Sequence, residues 1–227
     1  MKSKSPTRLF KDRMYEQLAR IGKTVASPQR LELLELISQA PRTVERLAED
    51  THQTIANASR HLQILRSARL VETQKVGTFV HYRLAGETVA SFLRELRLLA
   101  VHHLAEVDQI SRQFFAGGAV LEAVNRKALL SRVRKGEVTM LDVRPRDEYE
   151  AGHIAGAISM PLAELKNRLA EVPKGQEVVA YCRGPYCVLA AQAVEVLQEH
   201  GFRAVRLEDG VADWRAYKLP VTVGSRA

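Results

Sequence analysis

The stretch Gln53-Thr54-Ile55-Ala56-Asn57-Ala58-Ser59-Arg60-His61-Leu62-Gln63-Ile64-Leu65-Arg66-Ser67, with Leu70-Val71-Glu72-Thr73-Gln74-Lys75, Val76-Gly77 and Thr78-Phe79-Val80-His81-Tyr82-Arg83-Leu84 behind it, decides how the first half of this chain folds. At about 100° per residue, Ile55, Ala58, Leu62 and Leu65 share one face and predict a buried helical seam from about Gln53 to Ser67. The opposite face centres on Arg60 and carries Gln53, Ala56, Asn57 and Gln63, with no acid. Such a face is either ordinary solvated surface or a reader of the major groove, where Asn and Gln pair with adenine and Arg with guanine or phosphate. The two β-branched runs after it, with Gly in the turn, predict a hairpin whose basic tip, Lys75, reaches toward phosphate.

Upstream, Phe10, Met14, Leu18, Ile21 and Val25 form a helical stripe. Ser27-Pro28 opens a second helix bearing Leu31, Leu34 and Ile37, which Pro41 ends, and Thr43 caps a short third one. Downstream, Val89, Leu93, Leu96, Ala100, His103, Val107, Ile110 and Phe114 repeat with a period of about 3.5 residues, predicting one long helix over 87–114 with a coiled-coil-like dimer seam. His102, His103 and Glu106 on it are either part of a metal site between subunits or a seam-packed His103 beside a solvated His102; too few carboxylates accompany the histidines and the spacing is not a recognised ligand set, so no metal and no cofactor is expected. Gly117-Gly118 then reads as a helix stop and hinge, dividing the chain into domains 1–116 and 117–227.

The second half alternates strands and helices, the α/β pattern. Val138–Val143, Glu177–Tyr181 and Arg203–Leu207 read as strands, and a helix runs from Val188 to about His200. Cys182 ends a strand that feeds, through Arg183-Gly184-Pro185-Tyr186-Cys187, into that helix. Open parallel sheets place ligands at such a carboxyl edge. Loop amides, the helix dipole and Arg183 predict a stabilised thiolate at Cys182. Cys187 is either a resolving partner for it or a small buried residue at the helix start.

Two cysteines in 227 residues exclude a disulfide scaffold and a four-cysteine zinc site within one chain. No apolar run approaches the ~18 residues of a membrane span, and no secretory apolar segment follows Met1–Pro6. A cytoplasmic protein without a membrane partner is expected. The net charge of +8 suggests a polyanion partner. It is uneven: residues 1–116 hold 18 basic and 12 acidic side chains, net +6, and 117–227 hold 16 and 14, net +2.

Ser59-Arg60-His61-Leu62-Gln63-Ile64-Leu65, Leu70-Val71 and Val80-His81-Tyr82-Arg83-Leu84 resemble the ArsR family of winged helix-turn-helix repressors over about residues 10–112. The resemblance implies a homodimer, here through 87–114, on an inverted-repeat double-stranded DNA operator, with release by an inducer. Gln53, Thr54, Asn57, Arg60 and Lys75 are the candidate DNA contacts. The Cys-x-Cys pair of metal-sensing members falls at Thr43 and Glu45, so that thiol site is absent.

Leu141-Asp142-Val143-Arg144, Glu148-Tyr149, Gly152-His153-Ile154, Gly156-Ala157, Pro161, Tyr181-Cys182-Arg183-Gly184, Gly210, Trp214 and Pro220-Val221 resemble a rhodanese domain across about 119–223. That resemblance implies sulfur transfer through a persulfide on Cys182, with Asp142 and Arg144 bordering and bracing its pocket. Where many rhodaneses carry Gly and Arg three and five residues after the nucleophile, this chain has Pro185 and Cys187. The Arg that grips thiosulfate is missing, Arg183 partly substituting. Phosphatase chemistry needs an Arg where Val188 stands. The expected fold is therefore multidomain: a mainly α winged helix-turn-helix unit with a β-hairpin wing, then an α/β rhodanese unit with a parallel sheet. The expected function is a repressor whose Cys182 takes up sulfane sulfur or an oxidant and whose Cys187 resolves it. Two alternatives are a sulfurtransferase with an accessory winged helix, and an inactive rhodanese fold serving as an interaction module.

Overall fold

The computed structural model describes residues 5–115 and 126–224. The chain forms two compact units, Met1–Leu93 and Arg94–Ala227. The division falls upstream of the expected 116/117 boundary, and the Gly117-Gly118 hinge lies outside the described residues.

The first unit comprises α1 (Pro6–Val25), α2 (Pro28–Gln39), α3 (Val44–Asp50), α4 (Ile55–Ser67) and the hairpin β1 (Val71–Val76) and β2 (Phe79–Leu84). Leu33, Leu34, Leu47, Leu62 and Leu65 are fully buried in its core; truncating any one of them to Ala costs about 2–5 kcal/mol. α4 ends in a Schellman motif. Arg69 is left-handed at φ 60°, and the amides of Leu70 and Arg69 donate to the carbonyls of Leu65 and Arg66. This turn aims the chain from α4 into β1. The hairpin pairs Val76 with Phe79 around Gly77, at φ 60°, and Thr78. Arg42 and Tyr82 exchange backbone hydrogen bonds, an isolated antiparallel bridge beside β2 that the sequence did not announce.

Two expectations fail here. Ile55 is not in the seam of α4: at the first helical turn it is 54% exposed, and His61 is buried in its stead beside Ala58, Leu62 and Leu65. Residues 87–114 are not one helix. α5 (Glu87–His103) and α6 (Ala105–Phe114) are separated by Leu104 in an extended conformation. No Gly or Pro marks the break, but His102 and His103 close α5 while Glu106 and Asp108 open α6, each set complementing a helix dipole end. Val89 and Leu93 of the expected seam pack on the first unit's own core. Ile110 and Phe114 stay exposed, as do Phe10, Met14 and Leu18 of α1.

The second unit continues with α7 (Arg126–Arg134), β3 (Val138–Asp142), α8 (Arg146–Ala151), β4 (His153–Ile154), β5 (Ile158–Ser159), α9 (Leu162–Arg168), β6 (Glu177–Tyr181), α10 (Val188–Glu199), β7 (Arg203–Arg206), α11 (Val211–Ala216) and β8 (Val221–Thr222). The four-stranded sheet runs β5-β3-β6-β7, all parallel. β3 and β6 are buried nearly throughout, as strands covered on both faces must be. Their carboxyl ends, Asp142 and Tyr181, lie in register and deliver Cys182 to the edge of the sheet.

Candidate functional site

The face for nucleic acid is built on α4. Thr54 is its N-cap, the hydroxyl accepting from the Asn57 amide at 3.2 Å. Gln53 therefore precedes the helix instead of lying in it. Its side chain accepts from Asn57 Nδ2 at 2.9 Å and donates to Thr51 at 3.0 Å, holding the two amides together. Thr54, Asn57, Arg60 and Gln63 are exposed and Gln53 is half-buried. Lys75 is exposed on the wing, paired with Val80 one step from the turn. His61 points the other way. Burial, and then the charges of Arg30 and Arg60, lower its pKa, so it packs as a neutral ring.

The second site is the loop that joins β6 to α10. Asp142 and Arg144 lie beneath it, 0% and 1% exposed. Arg144 forks onto Asp142 at 2.9 and 2.5 Å and donates to the Gly152 carbonyl at 2.7 Å. The Tyr181 hydroxyl donates to Asp142 at 2.6 Å and accepts from the Ile154 amide at 3.0 Å. Burial first, then the Asp142 charge, raises the Tyr181 pKa well above its ordinary value, keeping it a donor. This network locks the residue before Cys182 in place. Asp142 and Arg144 are bonded to each other, and outside the pair to Tyr181 and the Gly152 carbonyl.

Cys182 differs from the sequence expectation. It is 1% exposed, inside the apolar cluster of Leu141, Val143, Met160 and Ala190. Its Sγ donates to the Cys187 backbone carbonyl at 3.3 Å. Burial is the largest influence, followed by Cys187, and both raise the thiol pKa; the amides of Ala190 and Gly184 oppose them and lose. Cys182 is thus an enclosed thiol whose ionisation burial opposes. Cys187 is half-buried at the N-cap of α10. The Cys182 thiol, then the amides of Arg183 and Leu189 and the Arg183 charge, lower its pKa to about 7 against the effect of burial.

Arg183 is engaged by Glu148, a motif residue to which the sequence assigned no role, 0% exposed and held at 2.6–3.1 Å. Four further residues hold the loop, and among them only Gly210 stands in a motif named above. Arg206 donates to the Pro185 carbonyl at 2.9 Å, pairs with Glu208 at 3.1 Å and lies 3.9 Å over the Phe115 ring. Asp213 pairs with Arg97 and caps the Gly210 amide at 3.0 Å. Gly210 packs on the Arg183 carbonyl so closely that a Cβ there would collide with it. The Arg97 guanidinium lies over Gly184, 3.0 Å from where a Cβ would be. All of these belong to the second unit.

Among the described residues no group of three or more His, Cys, Asp or Glu could hold a metal ion; His102 and His103 are both exposed, edge to face at 4.8 Å. No described helix is long and apolar enough to cross a membrane.

Residues 27–73 match the family described as bacterial regulatory protein, arsR family, and residues 125–217 match the rhodanese-like domain. The HTH-type transcriptional regulator Rv0324 of Mycobacterium tuberculosis is 44% identical over 212 residues, covering 93% of each chain. A sulfurtransferase of Allochromatium vinosum is 29% identical over 104 residues, which are 45% of this chain and 95% of that protein. The solution structure of the homodimeric winged helix-turn-helix DNA-binding domain of Mb0332 from Mycobacterium bovis is 38% identical, with a TM-score of 0.41, covering 46% of this chain and 94% of that one.

Proposed function

Because this chain belongs to the ArsR-type transcriptional regulators that carry a C-terminal rhodanese domain, we propose that it represses transcription as a cytoplasmic homodimer and leaves its operator when sulfane sulfur or an oxidant modifies Cys182 and Cys187. Asn57, Arg60 and the Gln53 amide face the major groove, Thr54 sets the start of the reading helix, and Lys75 meets phosphate from the wing. The exposed Leu99, Val101, Ile110 and Phe114 are the surface that a second copy covers through residues 87–114.

The observation that carries the sensing role is the anchoring of the cysteine loop. Arg97 of α5 lies on Gly184, and Arg206, which holds Pro185, stacks on Phe115 at the end of α6. A bond made or broken in that loop therefore presses on the helices assigned to the dimer.

The test uses an operator selected from a random duplex pool by the reduced full-length protein. Glutathione persulfide should weaken binding at least about tenfold, which is about 1.4 kcal/mol, and leave a Cys182→Ser/Cys187→Ser double variant unaffected. Unchanged affinity overturns the sensor. Steady thiosulfate turnover near about 1 s⁻¹ with unchanged affinity would make the protein a sulfurtransferase, and unreactive thiols would leave the domain an interaction module.

A further inference from the structure

Resting on the DNA-binding half of the reading above and independent of its sulfur chemistry, we propose that the tip of the wing is an apolar wedge: Phe79, backed by Val76, enters the minor groove beside the reading helix, opens a flexible base step and bends the operator. The hairpin is anchored at its base, within the first unit. Val71 is buried, Tyr82 and Leu84 pack on the core, and Arg42 bridges to Tyr82. Beyond that base, three of the five residues from Val76 to Val80 are apolar side chains left in solvent, and the Phe79 ring is 62% exposed. Single exposed apolar residues are ordinary on a protein surface. Three at the end of a two-stranded ribbon mark a surface that a partner covers.

The register sorts these side chains. Residues paired directly across a hairpin share a face, and successive pairs alternate. Val76 and Phe79 therefore stand together on one face, while Lys75 and Val80 share the other. Gly77, left-handed at φ 60°, and Thr78 close the turn with no loop beyond them. The tip is accordingly narrow: one strand pair, about 4.8 Å between backbones, entering end-on a groove about 6 Å wide.

Position and charge choose the occupant. Only Ala68, Arg69 and Leu70 separate α4 from β1, so the wing begins where the reading helix ends. Residues 51–83 hold five basic side chains, Arg60, Arg66, Arg69, Lys75 and Arg83, against one acid, Glu72, which is ion-paired with Arg83 at 2.8 Å. The wing thus sets no unmatched acid against a phosphate backbone, and Lys75 is exposed beside the tip for the groove wall. Val76 and Phe79 cannot bond a phosphate. What DNA offers them is the sugar faces that wall the minor groove and the base planes of a step that unstacks, the contact that apolar wedges make in architectural proteins. Pyrimidine–purine steps unstack most easily, so the wedge adds sequence preference where no hydrogen bond is made. With reading helices in successive major grooves about 10 bp apart, each wing meets the minor groove about half a turn further from the dyad, roughly 5 bp beyond the centre of its half-site.

The experiment uses the reduced full-length protein and the duplex it selects from a random pool. A fluorescent adenine analogue that brightens when unstacked is moved one position at a time through both flanks, and dyes at the duplex ends report bending by energy transfer. The wild type should brighten the analogue at one step in each flank and draw the ends together. Phe79→Ala should do neither and bind at least about tenfold more weakly, the scale of one aromatic–base contact, whereas Phe79→Leu should keep most of the bend. Changing that flanking step to AA should weaken the wild type about tenfold and leave Phe79→Ala indifferent. Because the ring is exposed, Phe79→Ala should melt at the wild-type temperature. A straight duplex, or a Phe79→Ala protein that bends and discriminates as the wild type does, overturns the wedge. So does a Phe79→Ala protein that sediments as a monomer, since the tip then belongs to a contact between copies. Selecting no duplex at all sinks the DNA-binding reading together with the wedge, while a selected duplex that stays straight sinks the wedge alone. The thiols stay reduced throughout, so neither outcome bears on the sensor.

Discussion

Tyr181→Phe deletes a single oxygen from the floor of the cysteine loop, and the structure allows its cost to be worked out. The hydroxyl is wholly buried. It donates to the Asp142 carboxylate at 2.6 Å, a hydrogen bond to a charged group worth about 1.5–3 kcal/mol. It also accepts from the Ile154 amide at 3.0 Å. Phe leaves that amide without this acceptor in the interior, at a cost of about 1–3 kcal/mol. Asp142 keeps its Arg144 fork, so no further penalty arises. The total is about 2.5–6 kcal/mol, a large share of a typical domain's stability. With a urea slope of about 1.3 kcal/mol per molar for a domain of this size, the midpoint of the second unit should fall by about 2–5 M. Urea unfolding of the full chain followed by circular dichroism measures it, and the transition of the first unit, which has its own core, should stay in place. A fall of less than about 0.5 M would refute the claim that this network is what holds the residue before Cys182.

Arg60→Ala should cost about 1–3 kcal/mol of operator affinity if Arg60 reads a base, measured by fluorescence anisotropy against the selected duplex. Lys75→Ala should weaken binding to all sequences alike and reduce the salt slope of log K by about one. Ile110→Asp alters a side chain 66% exposed in the single chain, so the fold should survive while sedimentation shows monomers in place of dimers. The rate of iodoacetamide labelling at Cys187 should rise through a midpoint near pH 7 and level off above it, because only the thiolate reacts and its pKa is lowered to about 7; a midpoint at the ordinary thiol value would contradict the placement of its sulfur beside the Cys182 thiol and the amides of Arg183 and Leu189.

Local patterns carried much of this protein. The period of α4, its polar face and the Gly in the hairpin turn are properties of neighbouring residues, so helix, wing and their candidate contacts were legible before any coordinates. The same holds for the alternation behind the parallel sheet and for Cys182 at the end of β6. The break at Leu104 was legible only in hindsight, from basic residues closing one helix and acidic ones opening the next. Ile55 was misplaced because a helical projection assigns faces but not ends, and the first turn of α4 is uncovered.

What the sequence by itself determined is the order of elements and the inventory of chemistry: a basic reading helix, a wing, and two thiols in one loop. How deeply each thiol is buried was decided by tertiary structure alone. Proximity in sequence places Arg183 beside Cys182, yet its guanidinium is drawn off by Glu148, 35 residues away. Cys182 is driven into an apolar cluster assembled from β3, α9 and α10. A pKa is set by what surrounds a sulfur in space, burial against charge and donors. Those surroundings come from residues scattered along the chain, and only the folded molecule brings them together.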